Sequence, residues 1–199
     1  MKVVEKFVSI NGEGSKAGQL AVFIRFAGCN LDCVYCDTKW ANEKNVSYEE
    51  MDKEQIYKYI KDTGVRNITV TGGEPLLQED IYEFLEYLSL DKELYIEIET
   101  NGSVDISPFK KIENTPSFTM DYKLNYSNME NKMFLDNLKI LDKKDVIKFV
   151  SGSQKDLEIL KNIVEKYELI ERTKVYVSPV FGAIEPSAIV DWMVETNLN

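Results

Sequence analysis

The run Ala21-Val22-Phe23-Ile24-Arg25-Phe26-Ala27-Gly28-Cys29-Asn30-Leu31-Asp32-Cys33-Val34-Tyr35-Cys36-Asp37-Thr38 decides how the chain is read. Its first six residues are apolar apart from Arg25, which is strand composition. Ala27-Gly28 ends the run, and three cysteines follow at C-x3-C-x2-C spacing. In parallel α/β sheets ligands collect at the carboxyl ends of the strands. A loop rich in potential ligands directly after a strand therefore predicts such a sheet.

The rest of the chain continues the pattern. Five more short Val/Ile/Tyr/Phe-rich runs predict strands over 67–71, 94–98, 118–121, 146–150 and 174–178, after the first at 21–26. Between them, apolar residues recur at helical spacing. Ile81, Phe84, Leu85 and Leu88 form one stripe, and Leu157, Leu160, Ile163, Val164 and Tyr167 form another. Ile56, Tyr59 and Ile60 mark a shorter helix ending near Gly64, and further helices are expected over 131–141 and 186–196. About six strand–helix units imply an α/β fold with parallel strands. A full eight-unit barrel typically needs about 250 residues, and this chain has 199. An incomplete (β/α)6 barrel is therefore expected, with an open doubly wound sheet as the alternative. No repeat or linker divides the chain, so residues 1–199 are expected to form a single domain.

The suggestive segments all fall at predicted strand ends. They are the cysteine loop, Thr71-Gly72-Gly73-Glu74-Pro75, Glu99-Thr100-Asn101-Gly102, Asp121-Tyr122-Lys123 and Ser178-Pro179-Val180-Phe181. Each has a plainer reading. Gly-Gly-Glu-Pro also suits a tight strand-to-helix turn with Pro75 at the first helical position. Asn101-Gly102 suits a simple turn.

Composition narrows the function classes. The net charge is −10, which disfavours a nucleic-acid partner. No apolar run approaches a membrane span, and residues 1–10 lack a signal-peptide core, so no membrane partner and a cytoplasmic location are expected. Three cysteines within eight residues, with no histidine anywhere, argue for a metal or redox site and against a disulfide framework. Structural zinc wants four protein ligands, usually Cys or His, and the fourth is missing. Thiolates are the usual ligands of [4Fe–4S] clusters. Three ligands for four irons leave one iron open to a cofactor or substrate.

C-x3-C-x2-C on the first strand-end loop resembles the signature of the radical S-adenosyl-L-methionine (SAM) superfamily. The resemblance implies a radical SAM barrel and a [4Fe–4S] cluster on Cys29, Cys33 and Cys36. It also implies SAM chelated at the open iron and split to a 5′-deoxyadenosyl radical. Gly73, in the Gly-Gly-Glu segment, would hold the methionine end. Tyr35, Cys36, Asp37, Asp121, Tyr122 and Lys123 would be further SAM contacts.

More of the chain narrows the resemblance. Ile10-Asn11-Gly12-Glu13-Gly14, Arg25-Phe26-Ala27-Gly28-Cys29-Asn30, Cys36-Asp37-Thr38-Lys39-Trp40 and Thr71-Gly72-Gly73-Glu74-Pro75-Leu76-Leu77 together are similar to the 7-carboxy-7-deazaguanine synthase family. That similarity implies a carbon–nitrogen lyase of queuosine and deazapurine biosynthesis. It would contract the ring of 6-carboxy-5,6,7,8-tetrahydropterin with loss of ammonia. Mg²⁺ would assist, a flavodoxin-like or similar reductant would supply electrons, and the protein would be a homodimer. Ile10, Asn11, Gly12, Arg25 and Thr71 would bind substrate, and Thr38 would hold the Mg²⁺.

These roles suit the residue types. Arg25 can clamp a carboxylate with a bidentate fork, or serve a structural ion pair. Thr38 offers Mg²⁺ a neutral oxygen, or caps a helix. Two departures from the family pattern stand out. A C-terminal segment with a histidine is absent, so the chain is expected either to be cut short or to close its pocket differently. The residues after Lys123 also lack the family's Pro- and Gly-containing continuation.

Two other functions fit parts of the pattern. A radical SAM activase acting on a partner protein would share the cysteine loop and Gly-Gly-Glu, and would need a groove for a protein loop. A non-catalytic metal or redox module would share only the cysteines.

Overall fold

A computed structural model describes residues 1–198. Its centre is one eight-stranded sheet in the order β3-β1-β2-β4-β5-β6-β7-β8. The strands are β1 (Lys2–Ile10), β2 (Leu20–Phe26), β3 (Glu49–Glu50), β4 (Asn67–Gly72), β5 (Tyr95–Thr100), β6 (Ser117–Tyr122), β7 (Val146–Ser151) and β8 (Lys174–Pro179). From β2 to β8 all neighbours are parallel. β8 does not return to pair with β3, so the sheet stays open. The expected incomplete barrel of six parallel strands is present.

The N-terminal hairpin is an addition to the expected pattern. β1 pairs antiparallel with β2, and the two-residue β3 pairs antiparallel with β1. Phe7 of β1 stacks on Phe23 of β2 with centroids 5.0 Å apart. β1 is largely half-exposed or exposed, so it lacks the buried run that marks the central strands.

Strand alternation divides the sheet chemically. Val22, Ile24, Phe26, Ile68, Val70, Ile96, Ile98, Phe118, Met120, Ile147 and Phe149 point to the outer face and join one core. Three α-helices pack their apolar stripes against that face. They are α1 (Lys53–Thr63), α2 (Ile81–Ser89) and α3 (Gln154–Lys166), and they supply Ile56, Ile60, Phe84, Leu85, Leu88, Leu157 and Leu160. α1 starts at a capping box between Asp52 and Gln55 and stops at Gly64, whose φ of 71° an L side chain rarely adopts. Ser153 caps α3. Short α4 (Leu169–Arg172) and α5 (Pro186–Thr196) complete the layer. No helix among the described residues is long and apolar enough to cross a membrane.

The helix expected over 131–141 does not form. That stretch makes two 3-10 turns, Glu130–Lys132 and Leu135–Lys139. Asn137 explains this. Its buried amide accepts from Ile106 N and donates to the carbonyls of Gly102 and Val104. A side chain that ties down a distant loop in this way competes with regular helix. The β5–β6 and β6–β7 crossovers therefore carry no α-helix among the described residues, while the other parallel crossovers do.

Phe84 is fully buried and meets Phe26 edge-on, with centroids 6.0 Å apart. Phe84→Ala should cost about 3–5 kcal/mol through lost burial and the cavity left behind. Leu90→Ala, at an exposed site, should stay within about 0.5 kcal/mol of wild type. Urea unfolding of the two variants checks the contrast.

Candidate active site

All six parallel strands send inner-face or carboxyl-end residues into one cavity of about 590 Å³. β2 gives Phe23 and Arg25, and β4 gives Thr71 and Gly72. β5 gives Glu99 and Thr100, and β6 gives Thr119 and Asp121. β7 gives Lys148 and Val150, and β8 gives Ser178 and Pro179. The cysteine loop closes one end with Cys29, Cys33, Tyr35, Cys36, Asp37 and Thr38. Asn11, Gly12 and Glu13 from the β1–β2 loop close another side.

Glu74 organises the rim. It is wholly buried, and its carboxylate accepts from Leu76 N at 3.1 Å, Thr100 Oγ1 at 2.9 and 3.0 Å, and Asn101 N at 2.6 Å. Its own amide donates to Gly28 O at 2.9 Å, which ties the cysteine loop to β4. Asn101 then reaches back, donating to Asn30 Oδ1 at 3.1 Å and Cys29 Sγ at 3.5 Å. Gly73 sits where no side chain fits. A Cβ there would lie 2.3 Å from Gly28 O and 2.7 Å from Cys29 Cβ. The Gly-Gly-Glu segment thus divides its labour: glycines face the cavity, and the acid lies behind it.

The charged residues form two groups. Lys123 donates to Asp121 Oδ2 at 2.8 Å, and its ammonium lies over the Tyr35 ring, 5.6 Å from the centroid. Lys148 donates to Glu13 Oε2 at 2.5 Å and lies 3.6 Å from Asp121 Oδ2. Burial alone would raise the Asp121 pKa, but Lys123 and Lys148 outweigh it and hold the carboxyl below the usual range. For Glu99 the balance is reversed, because burial outweighs the attraction of Lys148. Burial pushes its pKa up, against a hydrogen bond from Thr71. Arg25 Nε donates to Glu5 Oε2 at 3.0 Å, while the side chain still lines the cavity. Of the two readings of Arg25, the ion pair is therefore present and the cavity position is retained.

The cysteines suit a cluster. All three are free and line the same cavity. Burial raises the Cys29 and Cys33 thiols above their ordinary value, so stable thiolates there call for a bound cation. Leu31 N donates to Cys29 Sγ at 3.4 Å. Among the described residues no three Cys, His, Asp or Glu side chains converge on one metal-ion position. A cubane, which spreads its thiolates over separate irons, does not need them to converge. The cavity wall also carries buried polar atoms with no partner among the described residues: Tyr35 Oη, Asn42 Oδ1 and Asp121 Oδ1. Such atoms are rare unless a ligand completes them.

Most of the expected site residues meet here: Asn11, Gly12, Arg25, Cys29, Cys33, Tyr35, Cys36, Asp37, Thr38, Thr71, Gly73, Asp121 and Lys123. Two do not. Ile10 pairs with Leu20 in the hairpin, and its side chain is exposed to solvent. Tyr122 falls on the opposite strand phase from Asp121; its ring is buried in the core against Phe149. Thr38 precedes a 3-10 turn but caps nothing, and its hydroxyl donates to Asp37 Oδ1 at 2.7 Å. Glu99, Thr119 and Lys148 also line the cavity. Their signal was the alternation of polar and apolar residues along β5 to β7.

Comparison with known proteins agrees with this geometry. Residues 23–150 match the model of the Radical SAM superfamily. The chain is 62% identical over 198 residues to a 7-carboxy-7-deazaguanine synthase of Clostridium acetobutylicum, covering all of this chain and 90% of that protein. A 7-carboxy-7-deazaguanine synthase of Methanospirillum hungatei is 32% identical over 199 residues, again over the whole chain and 80% of its own length. The crystal structure of QueE from Escherichia coli superposes with a TM-score of 0.76 at 21% identity, covering 98% of this chain and 90% of that one, which shows a shared fold.

The Glu74 carboxyl yields a pH prediction. Burial pushes its pKa up to about 7, against the hydrogen bonds from Asn101, Leu76 and Thr100. The folded state then binds this proton more tightly than the unfolded chain. Stability from this group is full below the ordinary glutamate value near 4.5 and falls as pH rises to about 7. The fall should amount to about 3 kcal/mol at most. Urea unfolding across this window should show the wild-type advantage over Glu74→Gln shrinking as pH rises. A constant difference would contradict it.

Proposed function

Because the chain belongs to the radical SAM superfamily and, within it, to the 7-carboxy-7-deazaguanine synthases, we propose that it converts 6-carboxy-5,6,7,8-tetrahydropterin to 7-carboxy-7-deazaguanine with loss of ammonia. One observation carries the proposal: a single cavity has three cysteines at one end and a polar, charged wall at the other. Cys29, Cys33 and Cys36 would hold the cluster. When bound, the cluster and SAM supply the radical that removes a hydrogen atom from the substrate.

The protein's own residues bind, orient and exclude water. Gly73 admits the methionine end of SAM where any side chain would collide. Tyr35, Asp37, Asp121 and Lys123 contact the rest, and the partnerless Tyr35 Oη and Asp121 Oδ1 are available to it. Tyr122 drops out of that set, since its ring belongs to the core. Arg25 spends Nε on Glu5 and offers its terminal nitrogens to the pterin carboxylate. Asn11, Gly12 and Thr71 meet the pterin edge, and Ile10, whose side chain is exposed, offers it only backbone groups. Thr38 would ligate Mg²⁺, with substrate and water completing the shell. A flavodoxin-like or similar reductant, a symmetric homodimer and a cytoplasmic location complete the proposal. A cavity of about 590 Å³ suits small molecules, which favours the pterin over an activase that must admit a protein loop.

The test is turnover. Protein reconstituted anaerobically with iron and sulfide receives SAM, a reductant, Mg²⁺ and the pterin, and mass spectrometry reads the product. Formation of 7-carboxy-7-deazaguanine is expected. Release of 5′-deoxyadenosine without that product would overturn the substrate and leave the reaction class standing. Arg25→Ala should raise KM for the pterin on the order of 10–100-fold, the worth of a charge-assisted hydrogen bond.

A further inference from the structure

Beneath the cavity, and reaching it only at Thr119, lies a second polar layer to which the proposed chemistry gives no role. Interiors of closed α/β barrels are filled with layers of branched aliphatic side chains. Here, two residues before Thr71, Glu99 and Asp121 on the same inner face, stand Thr69, Glu97 and Thr119. All three are buried. Glu97 is the centre of the layer. Its Oε2 accepts from Asn11 Nδ2 at 2.9 Å. Its Oε1 accepts from Thr119 Oγ1 at 2.6 Å and from Ser15 N at 3.3 Å. Asn11 Nδ2 also donates to Thr69 Oγ1 at 3.1 Å.

Two of those donors are the ends of one loop. Asn11 and Ser15 bracket Gly12 and Glu13, which line the cavity. Gly14, at φ +68°, crosses directly over the carboxylate. A Cβ there would lie 1.9 Å from Glu97 Oε1 and 2.5 Å from Thr119 Oγ1. Glu13, at the crest of the loop, reaches Lys148. Among the described residues no cation pairs with Glu97. A buried carboxylate without a cation is costly unless hydrogen bonds compensate, and a Val or Leu would fill the space without that cost. What the acid provides is two acceptors, one for each end of the loop.

We propose that Glu97 is a positioning residue for substrate binding. It fixes the height of the Asn11–Ser15 loop, so that Asn11, Gly12 and Glu13 meet the pterin in register with Arg25 and Thr71. It acts through Asn11 and Ser15 and does not itself line the cavity. The inference rests on the reading of this cavity as the pterin site.

The test uses the full, reconstituted protein with Glu97→Ala, Glu97→Gln and Gly14→Ala. Hydrogen exchange of the 11–16 amides, measured without substrate, should show protection at Ser15 lost in Glu97→Ala. KM for the pterin should rise about tenfold, while KM for SAM and iron content stay at wild-type values. Glu97→Gln keeps one carbonyl acceptor and should recover part of the pterin KM. Gly14→Ala displaces the loop from its other side and should give the same signature as Glu97→Ala. Unchanged exchange and unchanged pterin KM in a variant with full iron content would overturn the inference. So would a loss shared equally with SAM. If Glu97→Ala does not fold, Glu97→Gln and Gly14→Ala decide by the same criteria. Wild-type protein that makes no product sinks the pterin reading instead, and the exchange result still judges the anchor.

Discussion

Three donors from two strand-end segments converge on the buried carboxylate of Glu74: Leu76 N just after it, and Thr100 Oγ1 and Asn101 N at the end of β5. Its amide grips Gly28 in the cysteine loop. A buried acid in such a place must be satisfied or it destabilises the fold. Satisfying it draws the ends of β4 and β5 together with the loop after β2. Asn101 is then held beside Cys29, and Gly73 is pressed against Gly28 and Cys29 where no Cβ is admitted. The cysteines consequently belong to a braced rim, not to a free loop.

The second constraint is the phase of the strands. On each central strand alternate residues build the outer core, and the others face inward. The inward set is largely polar, and the open sheet has a cavity where a closed barrel would be filled. Two layers result: a lower one in which Glu97 accepts hydrogen bonds from Asn11 and Ser15 of the β1–β2 loop, and an upper one of Thr71, Glu99, Asp121 and Lys148 that lines the cavity. Radical chemistry needs walls that exclude water and groups held before the reaction begins. A braced rim above a hydrogen-bonded floor meets both needs.

Much of this was legible in the sequence. The central strands carry buried Val, Ile and Phe, and the three long helices carry clear apolar stripes, so local pattern and tertiary burial agree. The cysteine spacing and the glycines mark strand ends because few other residues fit there. What escaped depends on long-range partners. β1 is too exposed to show a core pattern, and only its pairing with β2 makes it a strand. The 131–141 stretch has helical residues, but Asn137 is claimed by carbonyls more than thirty residues away. Tyr122 stands in sequence between two candidate SAM contacts, while strand phase sends it the opposite way from Asp121. Glu74 reads as part of a ligand motif, and only its burial reveals a brace. Glu97 has no motif at all.

The most direct test of the account is electron paramagnetic resonance of the reconstituted, reduced protein, recorded with and without SAM. A [4Fe–4S] signal that depends on Cys29, Cys33 and Cys36 and changes when SAM is added is predicted, because three cysteines for four irons would leave one iron open to SAM. A protein that binds one zinc in place of iron, or an iron–sulfur signal that SAM leaves unmoved, would contradict it.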